Sequence, residues 1–382
     1  MKTKIVIISE TIMDGVGRHI VDVIKHLDYS QIELTVIHSQ SRLDYRFYDV
    51  KKDFQDQVTF YEVPELIREI HPKLDMLAFF KVYKMIKYIQ PDIVHCHSSK
   101  AGVVGRLVSK FLGIKKILYT PHAYAVQNQT ITRGKHLIYL YAEKILARIA
   151  TTRTINVSEC EKAFAVINGI SKATKCQVVY NCVEDISVFN IKMDHALMNQ
   201  KWKIPTSHLI VGTVARLYTQ KNPHEFVKIA EQVCRQRPYV TFVWVGEGEY
   251  LEEMQSLVES LHIADRVLFL GHQRSIETFN LWFDIFLTSA RYEGLPYTLI
   301  ETMSTKTPIV ASNVTGNSEL VLPNVTGYLY ELGRVEEAVK NIISLIDSEA
   351  LRNQFGNEGY KFYKSHFTID EMMRAYQELY KS

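Results

Sequence analysis

Short β-branched runs alternate with helix-length amphipathic segments along this chain, and the alternation runs through twice. Lys4–Ser9, Ile32–His38, Ile93–His95, Lys116–Thr120 and Thr152–Val157 read as a first set of strands. Leu209–Val214, Val240–Val245, Val267–Leu270, Ile285–Thr288 and Pro308–Ala311 read as a second. Strands separated by helices run parallel, because a parallel neighbour is reached only through a long crossover. The pattern predicts two similar α/β domains facing each other across a cleft, with ligand at the carboxyl ends of the strands. The expected boundaries are 1–185 for the first domain, 186–205 for a polar linker, 206–364 for the second and 365–382 for a C-terminal helix. Met372, Met373, Tyr376 and Leu379 give that last helix its apolar spacing, and it is placed to cross back onto the first domain.

Bulk properties narrow the function. At 382 residues and 47% hydrophobic content, each domain can own a core. Lys and Arg number 45 against 42 Asp and Glu, which lacks the basic footprint of a nucleic-acid binder. Five scattered cysteines without a Cys-x-x-Cys pair fit a reducing, cytoplasmic setting. The short apolar run Ile5–Ile8 reads as a buried strand rather than a signal peptide. No stretch reaches the ~18 apolar residues of a membrane-spanning helix.

The segment with most chemistry is Glu293-Gly294-Leu295-Pro296-Tyr297-Thr298-Leu299-Ile300-Glu301, two carboxylates on either side of a turn that opens a helix. A helix start offers backbone N–H groups and the positive end of the dipole, a seat for phosphate. Two readings of Glu301 stand: it holds a sugar hydroxyl, or it completes a Thr298-x-x-Glu301 capping box. Upstream, Arg216 and Lys221 lie in the loop after a strand, where a planar fork and a point charge together can neutralise a diphosphate. Val245-Gly246-Glu247-Gly248 and Gly271-His272 end the next two strands and can bring backbone close to a base.

In the first domain, Gly15-Val16-Gly17 stands between a strand and a helix expected from about Arg18. It is not a dinucleotide fingerprint, since Ile20 occupies the third glycine position and no acid ends the second strand. His122 follows another strand, either as a structural residue or to hydrogen-bond a sugar hydroxyl. His95 and His97 share a strand face, but no third ligand sits at a metal-binding spacing and no Asp-x-Asp pair exists, so no metal is expected. The helix expected over Asp75–Gln90 sets Leu77, Phe80, Lys81, Lys84, Lys87 and Tyr88 opposite a core stripe. That arc is either a solvated lysine face or a contact for an anionic membrane, with Lys100 and Arg106 adding charge to the same domain.

These segments together resemble the GT4 family of retaining glycosyltransferases with the GT-B fold, two Rossmann-like domains. The resemblance rests on Gly15–Gly17, His122, Arg216, Lys221, Gly246–Gly248 and the Glu293…Glu301 pair, and it spans the chain. Ser98-Ser99-Lys100 and Thr120-Pro121-His122-Ala123-Tyr124 look like members that build bacterial surface polysaccharides. It implies an acceptor-binding first domain and a nucleotide-sugar-binding second domain. Arg216 and Lys221 would bind the donor diphosphate, Glu301 the ribose and Glu293 the transferred sugar, with Gly294 and Leu295 presenting backbone N–H groups. His122 and Gly15–Gly17 would meet sugar and phosphate from the first domain. Thr315-Gly316-Asn317 departs from the two glycines common in the family.

The implied reaction moves a hexose or N-acetylhexosamine from a nucleotide sugar, UDP-linked by expectation, to a polyprenyl-diphosphate-linked, lipopolysaccharide or capsule glycan. It would proceed with retention, without a metal or other cofactor, in the cytoplasm or on the cytoplasmic face of the inner membrane. A UDP-sugar 2-epimerase of the same fold, a transferase with a soluble acceptor and an inert nucleotide-sugar-binding protein are the competing readings.

Overall fold

Two parallel sheets, each carried by its own unit, organise the chain. The computed structural model describes residues 2–127, 131–186, 193–273 and 276–381. One unit comprises Met1–Asn181 together with Ile369–Ser382, the other Cys182–Thr368.

The first unit holds β1 (Thr3–Ser9), β2 (Ile32–His38), β3 (Val58–Glu62), β4 (Ile93–His97), β5 (Lys116–Thr120), β6 (Arg153–Asn156) and β7 (Cys176–Val178). They run parallel in the order β3-β2-β1-β4-β5-β6-β7. Ile5 to Ile8 of β1 are fully buried, as a central strand covered on both faces requires. The order reverses between β1 and β4, so the chain leaves these two strands in opposite directions and opens a crevice at their carboxyl ends. Register sets Ser9 beside His97 and His97 beside Thr120 at that crevice.

The second unit repeats the plan with β8 (Leu209–Val214), β9 (Val240–Val245), β10 (Val267–Phe269), β11 (Ile285–Thr288), β12 (Ile309–Ser312) and β13 (Gly327–Tyr330). Their order is β10-β9-β8-β11-β12-β13, all parallel, with the reversal between β8 and β11. Trp244, Phe242, Phe226 and Leu287 form part of its core.

Three strands were not expected from the sequence: β3, β7 and β13. Each is an edge strand. Val58-Thr-Phe-Tyr-Glu62, Cys176-Gln-Val178 and Gly327-Tyr-Leu-Tyr330 lack a continuous β-branched run, because an edge strand is covered on fewer sides. The expected linker is also corrected. Residues 187–192 lie outside the described residues, but helix His195–Lys201 follows, and Asn199 Oδ1 accepts from Trp282 Nε1 at 2.7 Å. Asp185 accepts from the Tyr360 hydroxyl at 2.8 Å, so described residues on both sides of the gap are tied into the second unit.

The helix Ile369–Lys381 belongs to the first unit, where Met372, Met373, Tyr376, Leu379 and Tyr380 are buried. Three further helices of that unit, Pro72–Ile89, Ser99–Phe111 and Arg133–Ile149, pack in series, the middle one against both others. Among the described residues no helix is long and apolar enough to cross a membrane.

Between the second and third of these helices lies a buried ion pair. Arg106 is fully buried, its NH2 donates to Glu143 Oε2 at 2.9 Å, and its guanidinium stacks 3.7 Å from the Tyr119 ring centroid. The Tyr119 hydroxyl donates to Glu143 Oε1 at 2.8 Å. The membrane role expected of Arg106 is therefore corrected: its charge is spent inside the unit. Glu143→Ala would strand that charge, and a loss of about 3–5 kcal/mol is expected for the first unit in chemical denaturation. An unfolding curve unchanged from wild type would contradict this.

Candidate active site

In the second unit, the loops after the two switch-point strands meet. After β8 the chain runs through Arg216 and a 3₁₀ turn, Thr219–Lys221, into helix Pro223–Gln236. After β11 it runs through Ser289 to Glu293. Lys221 Nζ and Glu293 Oε1 form an ion pair at 2.6 Å, with side chains 20% and 9% exposed. Gln220 Nε2 donates to the Tyr292 carbonyl at 3.0 Å, and the Arg291 N–H donates to the Gln220 carbonyl at 2.8 Å. Arg291 NH2 reaches Asn222 Oδ1 at 3.0 Å. Gln220, Asn222 and Arg291 thus lock the two loops together, a role the sequence reading missed because none belongs to a charged motif.

Arg216 is exposed, with its guanidinium 4.9 Å from the Tyr218 ring centroid. Glycines set the path of its loop. A Cβ on Gly246 would stand 2.1 Å from the Ala215 carbonyl oxygen, and one on Gly248 2.4 Å from that of Leu217. The Gly246 N–H donates to the Gly271 carbonyl at 2.9 Å, and the His272 N–H to Glu247 Oε1 at 3.1 Å. The N–H groups of Gly246 and His272 are thus engaged within the unit.

Glu301 lies in helix Tyr297–Ser304 and is 7% exposed. The helix has Pro296 at its N-cap and no side-chain cap, so Thr298 stands inside the helix and the capping-box reading fails. The preceding turn holds Gly294 and Leu295, and the loop Thr315–Asn317 closes on it. Glu293 N–H donates to the Thr315 carbonyl at 3.2 Å. Gly316 has φ +85°, and a Cβ there would come within 2.8 Å of the Gly294 carbonyl oxygen. Asn317, which departs from the family pattern, is fully buried and donates to the Ser312 carbonyl at 3.1 Å and hydroxyl at 3.2 Å. It pins the end of β12.

In the first unit, the helix after β1 begins at Asp14 rather than near Arg18. Gly15 and Gly17 therefore lie in its first turn, not in a loop. A Cβ on Gly17 would sit 2.7 Å from the Ile12 carbonyl carbon, so the bare glycine permits close packing. Glu10, unremarked in the sequence, is buried at the end of β1. It accepts from the Ser98 hydroxyl, from Ala101 N–H at 3.0 Å and from Lys100 N–H at 3.2 Å. A carboxylate thus satisfies the start of helix Ser99–Phe111.

Four histidines gather beside it. His97 Nδ1 lies 2.9 Å from His122 Nε2, and the two rings stack at 5.2 Å. His95 Nδ1 meets the Tyr380 hydroxyl at 3.0 Å and its Nε2 meets Thr120 Oγ1 at 2.8 Å. His19 Nε2 meets the Tyr376 hydroxyl at 2.6 Å and its Nδ1 meets Asn181 Oδ1 at 3.2 Å. His97 Nε2 is buried without a hydrogen-bond partner. An orphaned lone pair costs less than an orphaned N–H, which assigns the His97 proton to Nδ1 and makes His122 Nε2 the acceptor. His122 and Ala123 stand at φ +54° and +78°, a strained turn clamped where the Ala123 N–H donates to Glu161 Oε1 at 2.6 Å.

Sequence spacing supplied no third metal ligand, but the fold does. His19, His97 and His122 offer ring nitrogens that all lie within 4.8 Å of one another. Chain separation hid this: His19 comes from the first helix and His122 from the loop after β5. The hydrogen bonds above already occupy both nitrogens of His19, Nδ1 of His97 and Nε2 of His122.

The cations expected at a membrane divide. Lys81 is tied to Glu65 at 2.6 Å, and Lys100 to Asp75 at 2.5 Å with its side chain 11% exposed. Lys84 and Lys87 are exposed on the outer arc of helix Pro72–Ile89.

Two parallel-sheet units with these loops are the fold of the GT-B glycosyltransferases. The crystal structure of Anabaena Alr3699/HepE in complex with UDP and glucose superposes with a TM-score of 0.82 over 99% of each chain, at 20% identity. The family model "Glycosyltransferase Family 4" matches residues 13–185, and "Glycosyl transferases group 1" matches residues 194–362. The chain belongs to this family of glycosyltransferases. An Escherichia coli relative, UDP-Gal:alpha-D-GlcNAc-diphosphoundecaprenol alpha-1,3-galactosyltransferase, is 29% identical over 300 residues, 78% of this chain and 77% of that protein. The Staphylococcus aureus capsular polysaccharide biosynthesis glycosyltransferase CapM is 24% identical over 338 residues, 83% of this chain and 85% of that one.

Burial holds the histidine cluster neutral. It pushes His95 down to about 3, and His19 down to about 4 against the opposing Asn181 hydrogen bond. His97 and His122 are held well below the ordinary value, first by burial and then by neighbouring histidines, His95 and His19 acting on both. Since the unfolded chain then binds protons more readily than the folded one, acid favours unfolding. Stability from these groups is present above the ordinary value of 6.5 and is lost as pH falls from there toward about 4. The melting temperature of the first unit should drop between pH 7 and pH 5, less steeply in His95→Gln. A flat profile over that range would contradict it.

Proposed function

We propose that this protein transfers a hexose or N-acetylhexosamine from a UDP-sugar, with retention, to a lipid-linked or capsule-type glycan on the cytoplasmic face of the membrane. The observation that carries this reading is the Lys221–Glu293 ion pair, 2.6 Å long, beside the start of helix Tyr297–Ser304. A cation and a carboxylate are set side by side where phosphate and sugar hydroxyls of one donor molecule would adjoin. Without donor, each compensates the other's charge at a partly buried position. With donor, Lys221 and Arg216 turn to the diphosphate, and Glu293 accepts from the sugar hydroxyls. Glu301 then takes the ribose, and Gly294 and Leu295 face the phosphate with their N–H groups at the positive end of the helix.

The chemical step breaks the bond from the anomeric carbon to the diphosphate oxygen and forms one to the acceptor oxygen on the same face. The departing phosphate oxygen takes the acceptor proton. Negative charge grows on the diphosphate as the bond breaks, and cations already in place stabilise it without reorganisation. That division of labour needs no metal. His122, held by His97, is assigned to a sugar hydroxyl, with Gly15 and Gly17 at the first helix start.

Support for the donor and acceptor comes from the relatives. The E. coli protein is named for UDP-Gal and a diphosphoundecaprenol acceptor, and for an alpha-1,3 product. An α-configured donor gives an α product only by retention. The polysaccharide-related names of other relatives point the same way.

A thermal-shift screen of UDP-, GDP-, ADP- and dTDP-sugars should single out a UDP-sugar, because a ligand bound to the native state raises stability. Lys221→Ala or Arg216→Ala should each lower transfer about 10²–10³-fold with the fold intact. Full activity in either variant would refute the diphosphate assignment, and epimerised nucleotide sugar as the product would refute transfer. Activity should survive EDTA, whereas its complete loss, restored by a divalent cation, would overturn the metal-free reading.

A further inference from the structure

Helix Arg133–Ile149 is apolar on the wrong side. Its inner face is buried through Leu146 and Ala147, with Glu143 bound to Arg106. Yet Leu137, Ile138, Tyr141, Ile145 and Ile149 are each 50–62% exposed. At 100° per residue these five positions share an arc of about 120°, opposite the buried face. A helix apolar on both faces is ordinarily enclosed, but this one shows a continuous apolar strip to its surroundings.

The two helices packed in series with it expose apolar side chains as well. Phe111, at the end of Ser99–Phe111, is 76% exposed, and Phe80 and Tyr88 of Pro72–Ile89 are 54% and 83% exposed. Half of the large apolar side chains exposed among the described residues fall on these three packed helices. Isolated exposed apolar residues are ordinary, but such a concentration on one set of packed helices is not.

Charge decides what the patch meets. The three helices carry eleven Lys and Arg against two acids, Asp75 and Glu143, an excess of nine in a chain whose total is +3. Both acids are spent on internal partners, Lys100 and Arg106. On the apolar helix itself the remaining charges are Arg133, Lys135, Lys144 and Arg148, and no exposed acid accompanies them. Apolar side chains in a basic surround fit an anionic lipid surface, where the side chains enter the headgroup region and the cations meet phosphate.

We infer that helix Arg133–Ile149 seats the first unit on an anionic bilayer, with Phe111 and the outer arc of Pro72–Ile89 beside it. This rests on the proposal that the acceptor is lipid-linked, and it moves the main contact away from the lysine arc of Pro72–Ile89. Apolar insertion by Ile138 and Ile145 supplies the hold, while the lysines and arginines supply attraction that salt screens.

The test is co-sedimentation of the full chain with phosphatidylglycerol vesicles and with phosphatidylcholine vesicles. Wild type should bind the former and much less of the latter. Ile138→Glu with Ile145→Glu should weaken binding at least about tenfold. Lys81→Glu with Lys84→Glu and Lys87→Glu should weaken it less, and mainly at low salt. Because both isoleucines are exposed, the double variant should keep its melting temperature and its transfer to a water-soluble acceptor. Ile138→Ser with Ile145→Ser repeats the test without added charge. Undiminished vesicle binding by both isoleucine variants, or no binding by wild type, overturns the inference even if transfer from a UDP-sugar persists. Concentration-dependent dimerisation lost in the double variant, with no vesicle binding, overturns it in favour of a second copy on this face. Vesicle binding that depends on Ile138 and Ile145 in a protein inactive with every UDP-sugar would support the lipid seat and defeat the transferase proposal instead.

Discussion

A parallel strand cannot be joined to its neighbour by a tight turn, and most of this structure follows from that restriction. Every return crosses the sheet face, so the segments that follow the strands collect at one edge. Where strand order reverses, two of those segments part and leave room for a ligand. The Arg216–Lys221 loop follows β8 and the Ser289–Glu293 loop follows β11, the two strands at the reversal of the second sheet. In the first sheet the reversal lies between β1, which ends at Ser9 just before Glu10, and β4, which ends at His97. Residues separated by 72 positions, such as Lys221 and Glu293, meet as a consequence of topology.

Both clusters hold their groups by compensation. Glu293 faces Lys221, Glu10 faces the N–H groups of a helix start, and Glu161 clamps a strained turn. The histidines are handled differently: burial keeps them neutral, and hydroxyls, an amide and one another fix their orientation. A neutral, fixed imidazole suits hydrogen bonding to a sugar more than it suits proton transfer.

Central strands were legible because burial on both faces demands apolar runs, as Ile5–Ile8 and Val240–Val245 show. The edge strands β3, β7 and β13 were not, since a half-covered strand imposes no such pattern. Lys221 and Glu293, which the fold brings into contact, could be picked out because each stands in a charged motif that follows a strand. Gln220, Asn222 and Arg291 could not, since their work is to join two loops remote in the chain. Arg106 misled for a related reason. Its partner Glu143 lies on another helix, so nothing near it in the sequence reveals that its charge is buried. The exposed strip of Arg133–Ile149 was hidden as well, because apolar spacing does not say which side of a helix the core will take.

Helix Ile369–Lys381 closes the first unit, with Tyr376 on His19 and Tyr380 on His95. During synthesis, residues 2–181 emerge before the second unit, yet these two tyrosines emerge after it. The histidine pocket therefore waits, without the hydroxyls of Tyr376 and Tyr380, for as long as the ribosome takes to translate the second unit. The domain made first is the domain finished last.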